Sequence, residues 1–288
     1  MERAAGLIRA GRLVAFPTET VYGLGANALD AGAVARIFAA KGRPRTSPLI
    51  VHVASIEMAR GLAMRWPDTA ELLATRYWPG PLTLVVAKRP EIPDMVTAGL
   101  PTVGLRMPAH PMALELIRAA GVPIAAPSAN RFTELSPTAA SHIPRELADY
   151  TLDGGPARVG IESTVLSLVD TPLLLRPGII PVTELEALIG PIGQGSTPSE
   201  GGHAAPGMHA RHYRPSTPLY LDTVERPGKG VVLRLGKEMP ADPAAFAATL
   251  YDTLHRLDSE ALDWIAIEAP PDTPEWAGVL DRLKRAVA

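Results

Sequence analysis

The chain has 288 residues, 47% of them hydrophobic, which excludes a disordered protein and leads us to expect two domains rather than one. A net charge of −2 leaves no global basic field for gripping nucleic acid, so any anion site has to be local. The absence of cysteine excludes disulfides, thiolate catalysis and Cys-based zinc sites. Residues 1–16 hold no long apolar run, and no stretch approaches membrane-spanning length. The expectation is a soluble, cytoplasmic protein that engages no membrane.

In chain order, residues 2–10 read as a short helix stopped by Gly11 and residues 12–16 as a buried strand. A loop, PTETVYGLGANA, follows. Asp30 can cap a helix over 31–40 that puts Val34, Ile37 and Phe38 on one face. The stretch KGRPRTSPLIVHV comes next, with Lys41, Arg43 and Arg45 beside Pro44, then a strand over 48–53. By itself this is either a solvated basic turn or a polyanion site. Helices are expected over 55–64 and 67–78, strands over 82–87 and 102–107, a helix over 111–120 opened by Pro111, and a strand over 122–126 that empties into PSAN. Residues 138–148 read as helical, 163–169 and 173–175 as strands, and 182–189 as a helix. Strands and helices alternate without a repeat, so the first domain, residues 1–190, is α/β with a mixed sheet. Residues 191–215 are rich in Gly, Ser and Pro and read as a linker. Strands over 218–221, 230–235 and 262–267 and helices over 244–257 and 273–286 then form a small α/β unit, residues 216–288. It is near the lower size limit for folding alone, so it should lean on the first domain.

Several chemistries are absent from the sequence. No P-loop and no nucleophile elbow occurs, and Gly23-Leu24-Gly25 is only a fragment of a dinucleotide fingerprint. His203, His209 and His212 lack nearby carboxylates or thiols for a metal. What stands out is polar residues at strand ends: Thr18, Glu19 and Thr20, then Lys41 and Arg43, His52, Arg106, Ser128 and Asn130, Ser136, Glu162 and Ser163, and Arg176. Arg106 lies among apolar neighbours, where a guanidinium needs an anion to pair with. In open α/β sheets such positions converge on one crevice. Each also has an ordinary role open to it, as a cap, a turn residue or a surface ion pair.

Taken together, PTETVYGLG, KGRPRTSPLIVH, LRMPAHP, APSAN, SPT, ESTV and LRPG occur in the order seen in the YrdC/Sua5 family, and PGMHARHYRP with a small α/β tail resembles its long, two-domain form. The resemblance covers essentially the whole chain. It implies a YrdC-like open twisted mixed sheet with a concave substrate groove, plus a small C-terminal Rossmann-like α/β domain. It also implies L-threonylcarbamoyladenylate synthase activity: ATP, L-threonine and bicarbonate (or CO2) become threonylcarbamoyl-AMP and pyrophosphate. The product serves t6A37 formation in tRNA through a separate tRNA threonylcarbamoyl transferase.

Carried over residue by residue, the resemblance makes Lys41 and Arg43 the catalytic, phosphate-holding pair, with Mg2+ arriving on ATP and no dedicated protein metal site. Ser47, Thr102, Ser128, Asn130, Ser136, Arg176 and Tyr213 join them at ATP, Tyr213 reaching back from a linker that acts as a lid. Thr20, His52, Arg106, Ala126 and Ser163 surround threonine, Arg106 taking its carboxylate in a bidentate grip. Ser47 stands where the family often carries Asn, and RFTELSPT lacks the usual Ser-Gly after SAN. Two other readings stay open: a carbamoyltransferase domain like that of hydrogenase maturation, and an RNA-binding module. The lack of a cysteine-rich finger counts against the first. The charge balance and the lack of an aromatic stacking stripe count against the second, so RNA binding is expected to be weak or absent.

Overall fold

The computed structural model describes residues 1–195 and 212–287. Helix α1 (Glu2–Arg9) leads into β1 (Val14–Phe16), which pairs antiparallel with β2 (Gly23–Asn27). Strand β2 corrects the expectation of a loop through PTETVYGLGANA. Its glycines conceal it, because they supply no apolar alternation. They are needed for close packing: a Cβ on Gly25 would lie 2.8 Å from the Phe16 ring and 2.9 Å from Ile124 Cγ2. The Gly-x-Gly pair therefore seats a strand and does not cradle a dinucleotide.

Helix α2 (Ala31–Lys41) starts where Asp30 accepts hydrogen bonds from Gly32 and Ala33 N–H. It ends at Gly42, whose left-handed conformation (φ 64°) lets Arg43 N–H donate to Phe38 O and Gly42 N–H to Ala39 O. That reversal sets Lys41 and Arg43 on opposite sides of one turn. Then come β3 (Ile50–His52), α3 (Ile56–Leu62), α4 (Asp68–Tyr77), β4 (Leu82–Ala87), β5 (Thr102–Arg106), α5 (Pro111–Ala120) and β6 (Ile124–Ala125). Residues 138–148, expected as a helix, hold only a 3-10 turn, Ala140–His142. Pro144 removes an amide donor and bars its predecessor from helical geometry. Short strands β7 (Tyr150–Thr151) and β10 (Gly193–Gln194) flank β8 (Thr164–Ser167), β9 (Leu173–Arg176) and α6 (Val182–Ile189) in sequence.

Among the described residues these strands form one mixed sheet in the order β10-β9-β8-β4-β5-β3-β6-β2-β1-β7. Register places the site: β3 and β5 run parallel with His52 opposite Arg106, and β8 and β9 pair Val165 with Arg176 beside a register shift. Buried apolar clusters cover both faces, a larger one including Ile37, Leu84 and Leu105, and a smaller one under α1 and α5.

The C-terminal unit holds β11 (Leu219–Tyr220), β12 (Gly230–Leu233), α7 (Pro243–Asp258), β13 (Trp264–Ile267) and α8 (Ala277–Val287), its parallel sheet ordered β11-β13-β12. As expected from its size, it leans on the first unit. Val21, Leu135 and Ile161 share a core with Phe246, Leu250, Tyr251 and Leu254 of α7. Two glycines let backbones touch: a Cβ on Gly160 would meet Ala247 O at 2.2 Å, and one on Gly278 would meet Gly178 O at 2.4 Å. His142 stacks on His255 across the same seam, ring centroids 4.0 Å apart. The methyl of Gly278→Ala has only backbone to push against. We expect a loss of about 1–3 kcal/mol in denaturant unfolding, with faster proteolysis between the units. An unchanged midpoint would show that α8 does not sit this close.

Candidate active site

An open-mouthed cleft lies where these elements meet, and three arginines, Arg43, Arg106 and Arg176, stand in its wall. All three are nearly buried, at 6%, 3% and 3% exposure, so each must be satisfied by fixed oxygens. Arg106 donates from Nη2 to Glu19 Oε1 (2.6 Å), from Nη1 to Thr20 Oγ1 (2.9 Å) and from Nε to Gly80 O (3.1 Å). The anion that the sequence demanded for Arg106 is thus supplied by the protein itself. By count, one N–H on each terminal nitrogen remains for a ligand. Glu19 also accepts from Ala109 N–H (2.9 Å), and Thr18 Oγ1 donates to Val21 O (2.6 Å), so the loop after β1 is fixed at both ends.

Arg43 donates to Ser47 Oγ and to Pro48 O (3.1 Å) and lies 5.9 Å from the Phe132 ring centre. Burial pushes its pKa down to about 10, still charged at neutral pH. Arg176 donates from Nε (3.1 Å) and Nη2 (3.0 Å) to Ser163 O, whose own Oγ bonds Thr83 Oγ1 at 2.8 Å. His52 lies beside Arg106 with Phe16 edge-on to its ring (centroids 6.0 Å apart), and its Nδ1 has no hydrogen-bond partner among the described residues. Burial first, and Arg106 second, lower its pKa to about 3, so it is a neutral imidazole throughout the physiological range.

Of the residues singled out in the sequence, Thr20, Arg43, His52, Arg106, Ala126, Ser128, Ser163, Arg176 and Tyr213 come together in this wall. Tyr213 is 1% exposed, holds a left-handed backbone (φ 63°), and burial raises its hydroxyl pKa to about 12. The lid expected over 191–215 falls mostly on 196–211, outside the described residues, as do His203 and His209.

Five others lie elsewhere. Lys41 is not in the wall; the residue is 3% exposed, and its ammonium donates to Ser128 O (2.6 Å) and Asn130 O. It thereby binds α2 to the PSAN loop instead of pointing into the cleft. Its pKa is well below the usual lysine value, first through burial and then through Arg43. Ser47 supports Arg43, and Asn130 Nδ2 donates to Arg131 O (2.8 Å) and Glu134 O (2.9 Å) within its own loop. Ser136 donates to Glu162 Oε1 at 2.5 Å. Thr102 lines an adjoining recess that shares Ile50 with the cleft. Arg45 is exposed.

Thr18, Glu162 and His212 line the cleft without having been assigned a role from the sequence. The ESTV motif pointed at Glu162 but not at its partner, Arg282, 120 residues away. Among the described residues no cluster of three His, Asp or Glu could hold a metal ion. The carboxylates nearest the site, Glu19 and Glu162, are held by Arg106 and Arg282.

A mixed-sheet α/β protein with an arginine-walled cleft for anionic ligands is the class that this fold and site define. The sequence model of the Sua5/YciO/YrdC family, described as "Telomere recombination", matches residues 6–178, and that of the "Threonylcarbamoyl-AMP synthase, C-terminal domain" matches residues 180–288. The chain belongs to this family, in its two-domain form. It is 43% identical to the threonylcarbamoyl-AMP synthase of Pyrococcus abyssi, over 98% of this chain and 92% of that protein. It is 42% identical to that of Bacillus subtilis, over 99% and 92%. The crystal structure of Pyrococcus abyssi Sua5 complexed with L-threonine superposes with a TM-score of 0.93 at 42% identity, covering 99% of this chain and 93% of that one.

The neutral His52 makes an acid limb of stability. Its folded pKa is about 3 and the ordinary value 6.5, so between the two the unfolded chain binds a proton that the folded chain refuses. Stability is therefore lost as pH falls below 6.5, continuing to about 3. His52→Asn should flatten the drop in melting temperature between pH 7 and 5; a variant that melts with the wild-type slope would show that His52 is not held neutral.

Proposed function

We propose that this chain is a threonylcarbamoyl-AMP synthase that makes threonylcarbamoyl-AMP and pyrophosphate from ATP, L-threonine and bicarbonate or CO2. The observation that carries this reading is the cleft itself. Buried, permanently charged guanidinium groups stand around a neutral imidazole and small hydroxyls, in a chain similar from end to end to proteins of that name. Arg106 with Thr20 and His52 forms a subsite suited to an amino-acid carboxylate and its neighbouring polar groups. Arg43, Arg176, Ser128 and Tyr213 form the nucleotide side.

The chemistry needs little covalent help. The threonine amine and CO2 form an N–C bond and release a proton, giving a carbamate. A carbamate oxygen then attacks the α-phosphorus of ATP, and the bond from that phosphorus to the bridging oxygen breaks, its electron pair leaving with pyrophosphate. Catalysis is then positioning and charge neutralisation by donors already in place. Arg43 and Arg176 face the developing negative charge. His52, being neutral, does not compete with Arg106 for the carboxylate. Lys41 supports the turnover indirectly, by clamping the loop that carries Ser128 and Asn130. Mg2+ arrives as part of the ATP chelate, since the carboxylates in and behind the wall, Glu162 and Glu19, are already engaged. The product passes to a separate tRNA threonylcarbamoyl transferase for t6A37 formation, so RNA is not a direct ligand in this reading. No helix among the described residues is long and apolar enough to cross a membrane; a cytoplasmic place follows from the substrates.

The test is an assay with ATP, L-threonine and labelled bicarbonate that follows both pyrophosphate and the carbamoyl-adenylate. The wild-type chain should form them in equal amounts and only with threonine present. Arg43→Ala should lower kcat/KM for ATP about a hundredfold, as for loss of a donor to developing charge. His52→Ala should raise KM for threonine more than KM for ATP. Threonine-independent pyrophosphate release by the wild-type chain would reject the function, and near-normal rates for Arg43→Ala would reject the phosphate assignment.

A further inference from the structure

Glu162 is the one carboxylate among the described residues in the wall of a cleft otherwise charged by arginines. An anion there repels phosphates and attracts the guanidinium groups that should meet them. Its oxygens are turned away from both. Oε1 accepts from Ser136 (2.5 Å), and Oε2 accepts from Arg282 Nε (2.7 Å) and Tyr251 Oη (3.3 Å). Arg176 makes no ion pair with it, although its charge is felt: burial works to raise the Glu162 pKa, and Arg282 first, then Arg176, overcome that and lower it.

Arg282 comes from α8, in the other folding unit, and its side chain is wholly buried. Besides Glu162 Oε2 it donates to Glu162 O (3.1 Å), to Pro177 O (2.9 Å), the residue after Arg176, and to Asp281 Oδ2 (2.8 Å), a carboxylate that Arg285 also holds. Its guanidinium carbon lies 5.4 Å from the Tyr213 ring centre. Glu162 and Tyr213 belong to the cleft wall, and Arg282 does not. It acts on the cleft only from behind.

We propose that Arg282 is a positioning residue of the nucleotide site: by holding Glu162 it stops this wall carboxylate from competing with the phosphates of ATP for Arg176. The inference rests on the reading that Arg176 serves the nucleotide. It gives the C-terminal unit a defined part in the reaction, because a chain without α8 leaves Glu162 without its ion-pair partner, and Arg176 is the other cation whose charge acts on it. Removing one partner of a buried pair is costly mainly through the charge left behind. The remedy for losing Arg282 is therefore to remove the charge of Glu162.

Binding of ATP and of L-threonine by calorimetry, on folded full-length proteins checked by thermal melting, tests this. Arg282→Met should weaken ATP about tenfold or more and change threonine affinity less than threefold. Adding Glu162→Gln to it should bring ATP affinity back to within about threefold of wild type. Glu162→Gln alone should bind ATP at least as tightly as wild type, which keeps the test open if Arg282→Met fails to fold. A folded Arg282→Met with wild-type ATP affinity, a double variant no better than the single, or a Glu162→Gln that loses ATP overturns the inference and leaves the proposed function standing. A wild-type chain that binds no ATP overturns both.

Discussion

A guanidinium buried at 3% exposure must find its charge partner within the fold, and the meeting of Arg106 with Glu19 is the constraint on which the site depends. Truncating one side of such a pair leaves an unpartnered buried charge, at a cost of about 3–5 kcal/mol. The pair fixes the loop between β1 and β2 against β5, which brings Thr20 to Arg106 and sets one wall of the cleft. Burial first, and the same guanidinium second, keep the adjacent His52 uncharged. One ion pair thus sets a backbone path and one charged wall of the cleft, and adds to the burial that keeps His52 neutral.

The other arginines follow the same logic with different partners. Carbonyl oxygens of Ser47, Pro48 and Ser163 take donors from Arg43 and Arg176 without neutralising them, so the cleft keeps its positive charge although its cations are buried. Lys41 gives two of its three ammonium donors to carbonyls of the PSAN loop. That ties the loop to α2, which a flexible four-carbon stem at the last turn of a helix is well placed to do. Behind the cleft the C-terminal unit docks by near backbone contact at Gly160 and Gly278 and by burying Arg282, so it backs the wall of the site without lining it.

How much of this could be read from the chain differs residue by residue. His52 and Arg106 stood out because a polar group in an apolar strand is costly, and parallel register then set them side by side. Strand β2 was hidden because its glycines serve contact with Phe16 and Ile124 and carry no pattern of their own. The helix expected at 138–148 failed at Pro144, where a local rule outweighed composition. Glu162 was visible within ESTV, but nothing in its neighbourhood announced a partner 120 residues on.

The sequence by itself determined the alternation of strands and helices, the small C-terminal unit, the family to which the chain belongs and most of the polar residues that meet in the cleft. These are local matters: propensity, caps, and motifs short enough to be read in a window. Only the tertiary structure decided which cations line the cleft and which are turned to the fold. Lys41, Arg43, Arg106 and Arg282 look alike as letters, and their tasks differ according to the oxygens that each meets once buried. Those oxygens come from distant segments, because a buried charge is satisfied by whatever the fold brings to it.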